Sequence, residues 1–243
     1  MEILFKSNER KNITVVYEDE AILIVYKPRY MHTLKQSHSE DSLELFLEQL
    51  PLNLSVLPES GLIQRLDFVT AGLVLVAKNV DSYHYLRQES RDFRMEKEYQ
   101  AISSLATASF VPTGFSAHAW DTRRMQEGWF VDIASRFVYR GKGREAVRLL
   151  PIESRSKHAS DSYYSHVMLD KIEPEARYHF RVRLHKGYRH QVRATLSALG
   201  FPIFGDTLYG GVAQDIVAFW ATALRFRHPR SNEHVQCCWQ ILP

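Results

Sequence analysis

Between Gln64 and Gly72 the chain reads Gln-Arg-Leu-Asp-Phe-Val-Thr-Ala-Gly, with Arg65 and Asp67 separated by one apolar residue. The apolar run 73–77 follows at once, bounded by Gly72 and by Lys78-Asn79, which is the pattern of a buried strand. Asp67 is thus expected on a tight loop anchored by a rigid element, where catalytic groups are often held. A carboxylate so placed can act as a nucleophile or stabilise positive character at a substrate carbon. The same residues could instead form an Asx-type turn capped by Asp67 and Thr70, and the local sequence leaves both readings open.

The elements around this loop follow from periodicity. Residues 13–17 and 21–26 read as two short strands joined at Glu18-Asp19-Glu20 and ended by Lys27-Pro28. Asp41 with Glu44 has helix-capping spacing, and Leu43, Phe46, Leu47 and Leu50 then recur at helical intervals up to Pro51. A helix is predicted over 81–91 and a strand over 96–103. Residues 106–158 are patchier, with strand candidates at 129–133 and 146–150 about a Gly141-Lys142-Gly143 turn, and 155–161 reads as an exposed loop. From Tyr178 to Leu184, apolar residues alternate with His179, Arg181 and Arg183, giving one apolar and one basic face. Val192, Leu196 and Leu199 then mark a short helix closed by Gly200 and Pro202. Strands are predicted at 167–169, 216–222 and 235–242. The result is an α+β fold with a mixed, mostly antiparallel β-sheet core and flanking short helices.

Composition narrows the class. With 45% hydrophobic and 24% charged residues over 243 positions, the chain can bury a core, and no apolar stretch approaches the ~18 residues a spanning helix needs. The first ten residues lack a signal-peptide core, so a cytoplasmic location is the default expectation. The two cysteines, Cys237 and Cys238, are adjacent; in a strand they face opposite sides, which suggests packing rather than a disulfide. The net charge of +3 is small, but no Asp or Glu occurs from Ala176 to Gly205, where six Arg and Lys residues fall. Arg136, Arg140, Lys142, Arg144 and Arg148 form a second cluster, diluted by Glu145. Such clusters suit a polyanion, and a solvated basic face is the other reading. The histidines show no ligand spacing, so no metal site is expected.

The 64–72 segment resembles the His-Arg-Leu-Asp-x-x-Thr-Ser-Gly signature of pseudouridine synthases of the RluA type. Gln64 stands where His is usual, and Ala71 where Ser is usual. A second match runs from Leu184 to Arg193 and on through 199–210, and is similar to the family's third motif. Three smaller ones are Ile24-Val25-Tyr26-Lys27-Pro28, Lys97-Glu98-Tyr99-Gln100-Ala101 and 224–229. All five keep the family's order.

The resemblance implies an RNA pseudouridine synthase that uses no cofactor, acting on ribosomal or transfer RNA as one catalytic domain over 1–243. The small N-terminal RNA-binding domain of many relatives is expected to be lacking. In this reading Asp67 is the catalytic residue, Tyr99 stacks on the target uracil, and Arg193 pairs with the catalytic Asp. Arg65 fills the gap left by the extruded base or contacts a phosphate. Tyr188 occupies a position where the family usually has Arg. A non-catalytic RNA-binding protein on the same fold is the alternative. Hydrolysis of a nucleoside would need a second carboxylate, for which Asp206 is the sole motif candidate.

Overall fold

The structure is a computed structural model that describes residues 1–7, 12–37, 41–106, 125–141, 143 and 145–241. It divides into two compact units, one formed by Met1–Glu98 with Trp220–Pro243 and the other by Tyr99–Phe219.

The first unit holds β1 (Glu2–Ser7), β2 (Thr14–Glu18), β3 (Ile22–Lys27), helix α1 (Leu43–Gln49), β4 (Ala71–Ala77) and helix α2 (Val80–Arg91). Its strands hydrogen-bond in the order β2-β3-β4 and onward to two strands from the end of the chain, β10 (Phe219–Arg227) and β11 (His234–Ile241). β2/β3 and β3/β4 are antiparallel, β4/β10 parallel, and β11 lies antiparallel to β10 and parallel to β1. Every residue of β3 and β4 is buried, as befits central strands whose sequences are almost wholly apolar. Lys27, at the end of β3, is buried with them.

Helix α1 is capped by Ser42, one residue past the expected Asp41: the Ser42 hydroxyl accepts the Leu45 N–H at 3.2 Å. The Leu43 and Glu44 amides donate to the carbonyls of His32 and Thr33, which fixes the helix start against the preceding loop. Asn79 caps α2 through Ser82 N–H at 2.9 Å.

The second unit holds β5 (Glu96–Ser104, shared at its first three residues with the other unit), β6 (Phe130–Arg140), β7 (Ala146–Pro151), β8 (Tyr163–Glu173), β9 (Arg177–Leu184) and helix α3 (Gln191–Ala198). The strands run β5-β9-β8-β6-β7, and the pairs β9/β8, β8/β6 and β6/β7 are antiparallel. Apolar Ile133, Phe137, Tyr163, Val167, Leu169, Phe180 and Val182 point to the buried side. α3 adds Ala194 and Ala198 to a cluster with Phe137, Val147 and Leu149. The architecture is the α+β arrangement expected. Several boundaries differ, and β8 extends well to both sides of the expected 167–169. β6 is more than twice as long as the 129–133 candidate, because one of its faces is polar and hid the alternation. β10 extends to Arg227, beyond the expected Thr222, with the Arg225 guanidinium bonded to Glu96 and Glu98. β1 carried no sequence signal and exists through its ladder to β11.

Cys237 is buried and Cys238 half-buried, on opposite faces of β11, and both are free thiols. Among the described residues no helix is long and apolar enough to cross a membrane.

Candidate active site

The Asp67 loop is clamped at each end by hydrogen bonds, one side from a hydroxyl and the other from backbone. Thr33 Oγ1 donates to the Leu66 carbonyl at 2.7 Å and accepts the Leu66 N–H at 3.0 Å. The Thr70 N–H donates to the Asp67 carbonyl at 3.0 Å, and the Tyr30 N–H to the Phe68 carbonyl at 2.7 Å. That turn is closed by main-chain groups, so its hydrogen bond does not require the Asp67 carboxylate. Beyond it, Ala71 and Gly72 pair with Trp220 and Ala221 of β10. Gly72 has φ of +129°, and a Cβ there would collide with the Ala221 backbone, so only glycine lets the two strands approach. Ala71 is fully buried in the same seam.

Asp67 is half-buried, and two cations of the same unit lie within electrostatic reach of one another and, through Lys27, of its carboxylate. Lys27 donates from Nζ to the carbonyls of Pro28 and Met31, each at 2.8 Å. Burial pulls its pKa down to about 7, and Arg29 pushes in the same direction, while the Asp67 charge opposes the fall. Arg29 is buried with its guanidinium carbon 4.7 Å from the Trp220 ring centroid. Gln64 and Thr70, one on each side of Asp67, are also buried. Neither the Gln64 amide nor the Thr70 hydroxyl has a hydrogen-bond partner among the described residues.

Arg65 projects outward, with 59% of its side chain exposed, and its guanidinium is ion-paired with Glu59. To enter a base stack or grip a phosphate it must leave that partner.

The second unit carries the other two residues. Tyr99 is buried on β5 with its ring stacked on Phe219, centroids 5.5 Å apart and planes 23° from parallel. Arg193, on α3, is buried and gives Asp206 a bidentate grip, Nε to Oδ2 at 2.7 Å and the second nitrogen to Oδ1 at 2.8 Å. Its guanidinium carbon also lies 5.0 Å from the Tyr209 ring centroid. The Tyr209 hydroxyl accepts the Val147 N–H at 2.9 Å and lies 3.0 Å from His190 Nδ1. Both carboxylate oxygens of Asp206 are therefore engaged by Arg193, which disfavours Asp206 as the second carboxylate of a hydrolase.

The sequence reading gave no functional role to Lys27 or Arg29, and considered Asp206 only as the second carboxylate of a hydrolase. A Lys-Pro pair ending a wholly apolar strand marked the first, and the motif 199–210 contained the last. The basic faces are less free than their sequence suggests. Arg181 is held by Asp170 through two hydrogen bonds of 2.9 and 2.7 Å, and Arg136 donates to the carbonyls of Ser154, Ala159 and Ser160. Lys142 and Arg144 lie outside the described residues. Tyr188, where the family usually has Arg, stacks on Phe137 at 5.1 Å and 13°, with Tyr163 and Tyr139 close by. Burial among these rings pushes its phenol up to about 12.

A family model described as RNA pseudouridylate synthase matches residues 21–198. Ribosomal large subunit pseudouridine synthase D of Vibrio parahaemolyticus is 28% identical over 246 residues, covering 92% of this chain and 66% of that protein. The protein of the same name from Haemophilus ducreyi is 28% identical, with 93% and 66% covered. The chain thus spans just under two thirds of the length of these relatives. Among solved structures, human RNA pseudouridylate synthase domain containing 1 superposes with a TM-score of 0.64 at 20% identity, over 94% of this chain and 83% of that one. Human RNA pseudouridylate synthase domain containing 4 gives 0.63 at 16% identity, over 94% and 88%. These two structural likenesses are likenesses of fold.

Proposed function

The chain belongs to the RNA pseudouridylate synthase family, and from that premise we propose that it isomerises uridine in RNA to pseudouridine, with Asp67 as the catalytic carboxylate. The observation that carries this reading is the family match over 21–198, which contains Asp67, Arg65, Tyr99 and Arg193 in one span.

In the proposed reaction the N1–C1′ bond of the target uridine breaks. Asp67 acts as nucleophile or as stabiliser of positive character at C1′. The uracil turns in place, C5 joins C1′, the C5 proton is then lost, and N1 takes up a proton, so that the product is an isomer of the substrate. Reaching C1′ requires the nucleotide to leave the stack. Tyr99 and Arg193 bind substrate, the first against the uracil, and Arg65 contacts the RNA once released from Glu59. The clamped loop supports the assignment of Asp67, since a nucleophile must be held to a fraction of an ångström. Residues 1–243 are proposed to work as one catalytic domain in the cytoplasm, with no cofactor. Ribosomal RNA is the favoured substrate, because the relatives above are named as large-subunit enzymes; which uridine is modified is set by the test.

RNA from a strain lacking the protein is incubated with wild type and with Asp67→Ala, and pseudouridine is mapped across ribosomal and transfer RNA. New pseudouridine with wild type alone is the expected outcome. RNA binding with no new pseudouridine would favour the non-catalytic alternative, and activity surviving in Asp67→Ala would remove that residue from the mechanism.

A further inference from the structure

A cavity of about 420 Å³ opens in the second unit beside β7, α3 and the 207–210 turn. Tyr99 and Arg193, the site residues of that unit, do not line it. Its volume falls within the ~300–1,000 Å³ of small-molecule sites. Leu149, Ala194, Ala198, Pro202 and Leu208 give it an apolar floor and wall. At its rim stand Arg140 and Arg148, and no carboxylate lines it among the described residues.

The two arginines are poorly neutralised. Arg148 is exposed and, among the described residues, has no hydrogen-bond or ion-pair partner. Arg140 is exposed and, among the described residues, makes one long bond, 3.4 Å, to the Leu208 carbonyl. The Ser197 hydroxyl already donates to the Tyr209 carbonyl, so the polarity offered to a ligand is chiefly cationic. A flat apolar group lying on the floor with an anion reaching the rim matches this distribution. Guanidinium forks suit phosphate oxygens in particular.

We propose that this cavity is a second nucleotide subsite, which holds a base of the RNA chain away from the modified uridine while Arg140 and Arg148 grip its phosphates. The inference rests on the RNA reading above and deepens it, by naming where the strand is held outside the catalytic residues.

The test uses the full chain and a fluorescein-labelled 20-nucleotide oligouridylate, with binding followed by anisotropy over a salt series. Losing two phosphate contacts on a single strand should flatten the log–log salt slope by about 1.4 in Arg140→Ala/Arg148→Ala. The same variant should bind about fivefold more weakly at moderate salt, the scale of two exposed charge contacts. Arg140→Lys/Arg148→Lys should restore the slope. Unchanged slope and affinity in the double alanine variant overturn the proposal. Leu208→Ser, at an exposed wall position, separates a nucleotide from a bare anion: it should weaken oligouridylate but leave labelled polyphosphate unaffected. Equal responses of the two probes would reduce the site to an anion patch and overturn the nucleotide assignment. Pseudouridine formation by wild type is scored separately. Its absence, with the binding changes as expected, would sink the catalytic reading and leave the subsite standing.

Discussion

Replacing Asp206 by Ala should destabilise the second unit more than any other single charge removal in it. The Arg193–Asp206 pair is almost fully enclosed, with side-chain exposures of 5% and 2%, and both carboxylate oxygens accept from the guanidinium. Deleting one partner of a buried pair strands the other charge, at a cost of about 3–5 kcal/mol. Asp206→Asn keeps one acceptor and should cost less, about 1.5–3 kcal/mol, the worth of a hydrogen bond to a charged group. Replacing both residues by apolar ones of similar volume, Arg193→Met/Asp206→Leu, should recover much of the loss, since such swaps are often near neutral. Urea denaturation followed by tryptophan fluorescence gives the free energies, and with the single variants Arg193→Met and Asp206→Leu added the cycle gives a coupling of about 2–3 kcal/mol. A loss below ~1 kcal/mol for Asp206→Ala would refute the reasoning, because it would mean water or another group replaces the carboxylate freely. Pseudouridine formation should fall in Asp206→Ala as well, through the displaced Arg193, and rise partway in Asp206→Asn.

Gly72→Ala combines a left-handed backbone with a clash against Ala221; a loss of about 2–4 kcal/mol is expected by denaturation, from strain plus overpacking. Lys27 should give stability a rising pH dependence. Below its folded pKa of about 7 both states are protonated and there is no slope; above it the unfolded chain alone keeps the proton, so stability climbs. The climb is at most ~1.4 kcal/mol per pH unit, read between pH 7 and 8.5 as the difference between wild type and Lys27→Met, and a flat difference would contradict it. Lys97, lowered to about 8 by burial, adds a climb of the same sign above that pH. Burial raises the Cys237 thiol to about 12, so a thiol-specific dye at pH 8 should label Cys238 in the native protein and Cys237 only after unfolding.

The Asp67 loop and the strand behind it were legible because their signals are local: an Arg-Leu-Asp triplet, a glycine and an apolar strand lie within fourteen residues. The same holds for β9 and α3, whose periods of two and 3.6 are unmixed. What the sequence hid depends on contacts made at a distance. Asp206 pairs with Arg193 from beyond a helix and a turn, and nothing in the spacing distinguishes a carboxylate that binds substrate from one that binds an arginine. Lys27 reads as a strand terminator, yet its amine is buried because β3 is central and two carbonyls fold over it. Arg181 and Arg136 counted as free positive charge until Asp170 and three loop carbonyls were seen to hold them. The capping residue of α1 moved by one position because the His32 and Thr33 carbonyls set where the helix starts.

The parallel pairing of Ala71–Gly72 with Trp220–Ala221 also governs the order in which the molecule can be made. The second unit is one unbroken stretch, Tyr99–Phe219, and its strands can pair while the rest of the chain is still being synthesised. The first unit is not: its central strand β4 waits for β10, which follows only after the whole of Tyr99–Phe219. The turn that carries Asp67 therefore reaches its final seat only after the second unit has been made. A nascent chain that lacks β10 is thus without the seam that seats the Asp67 turn.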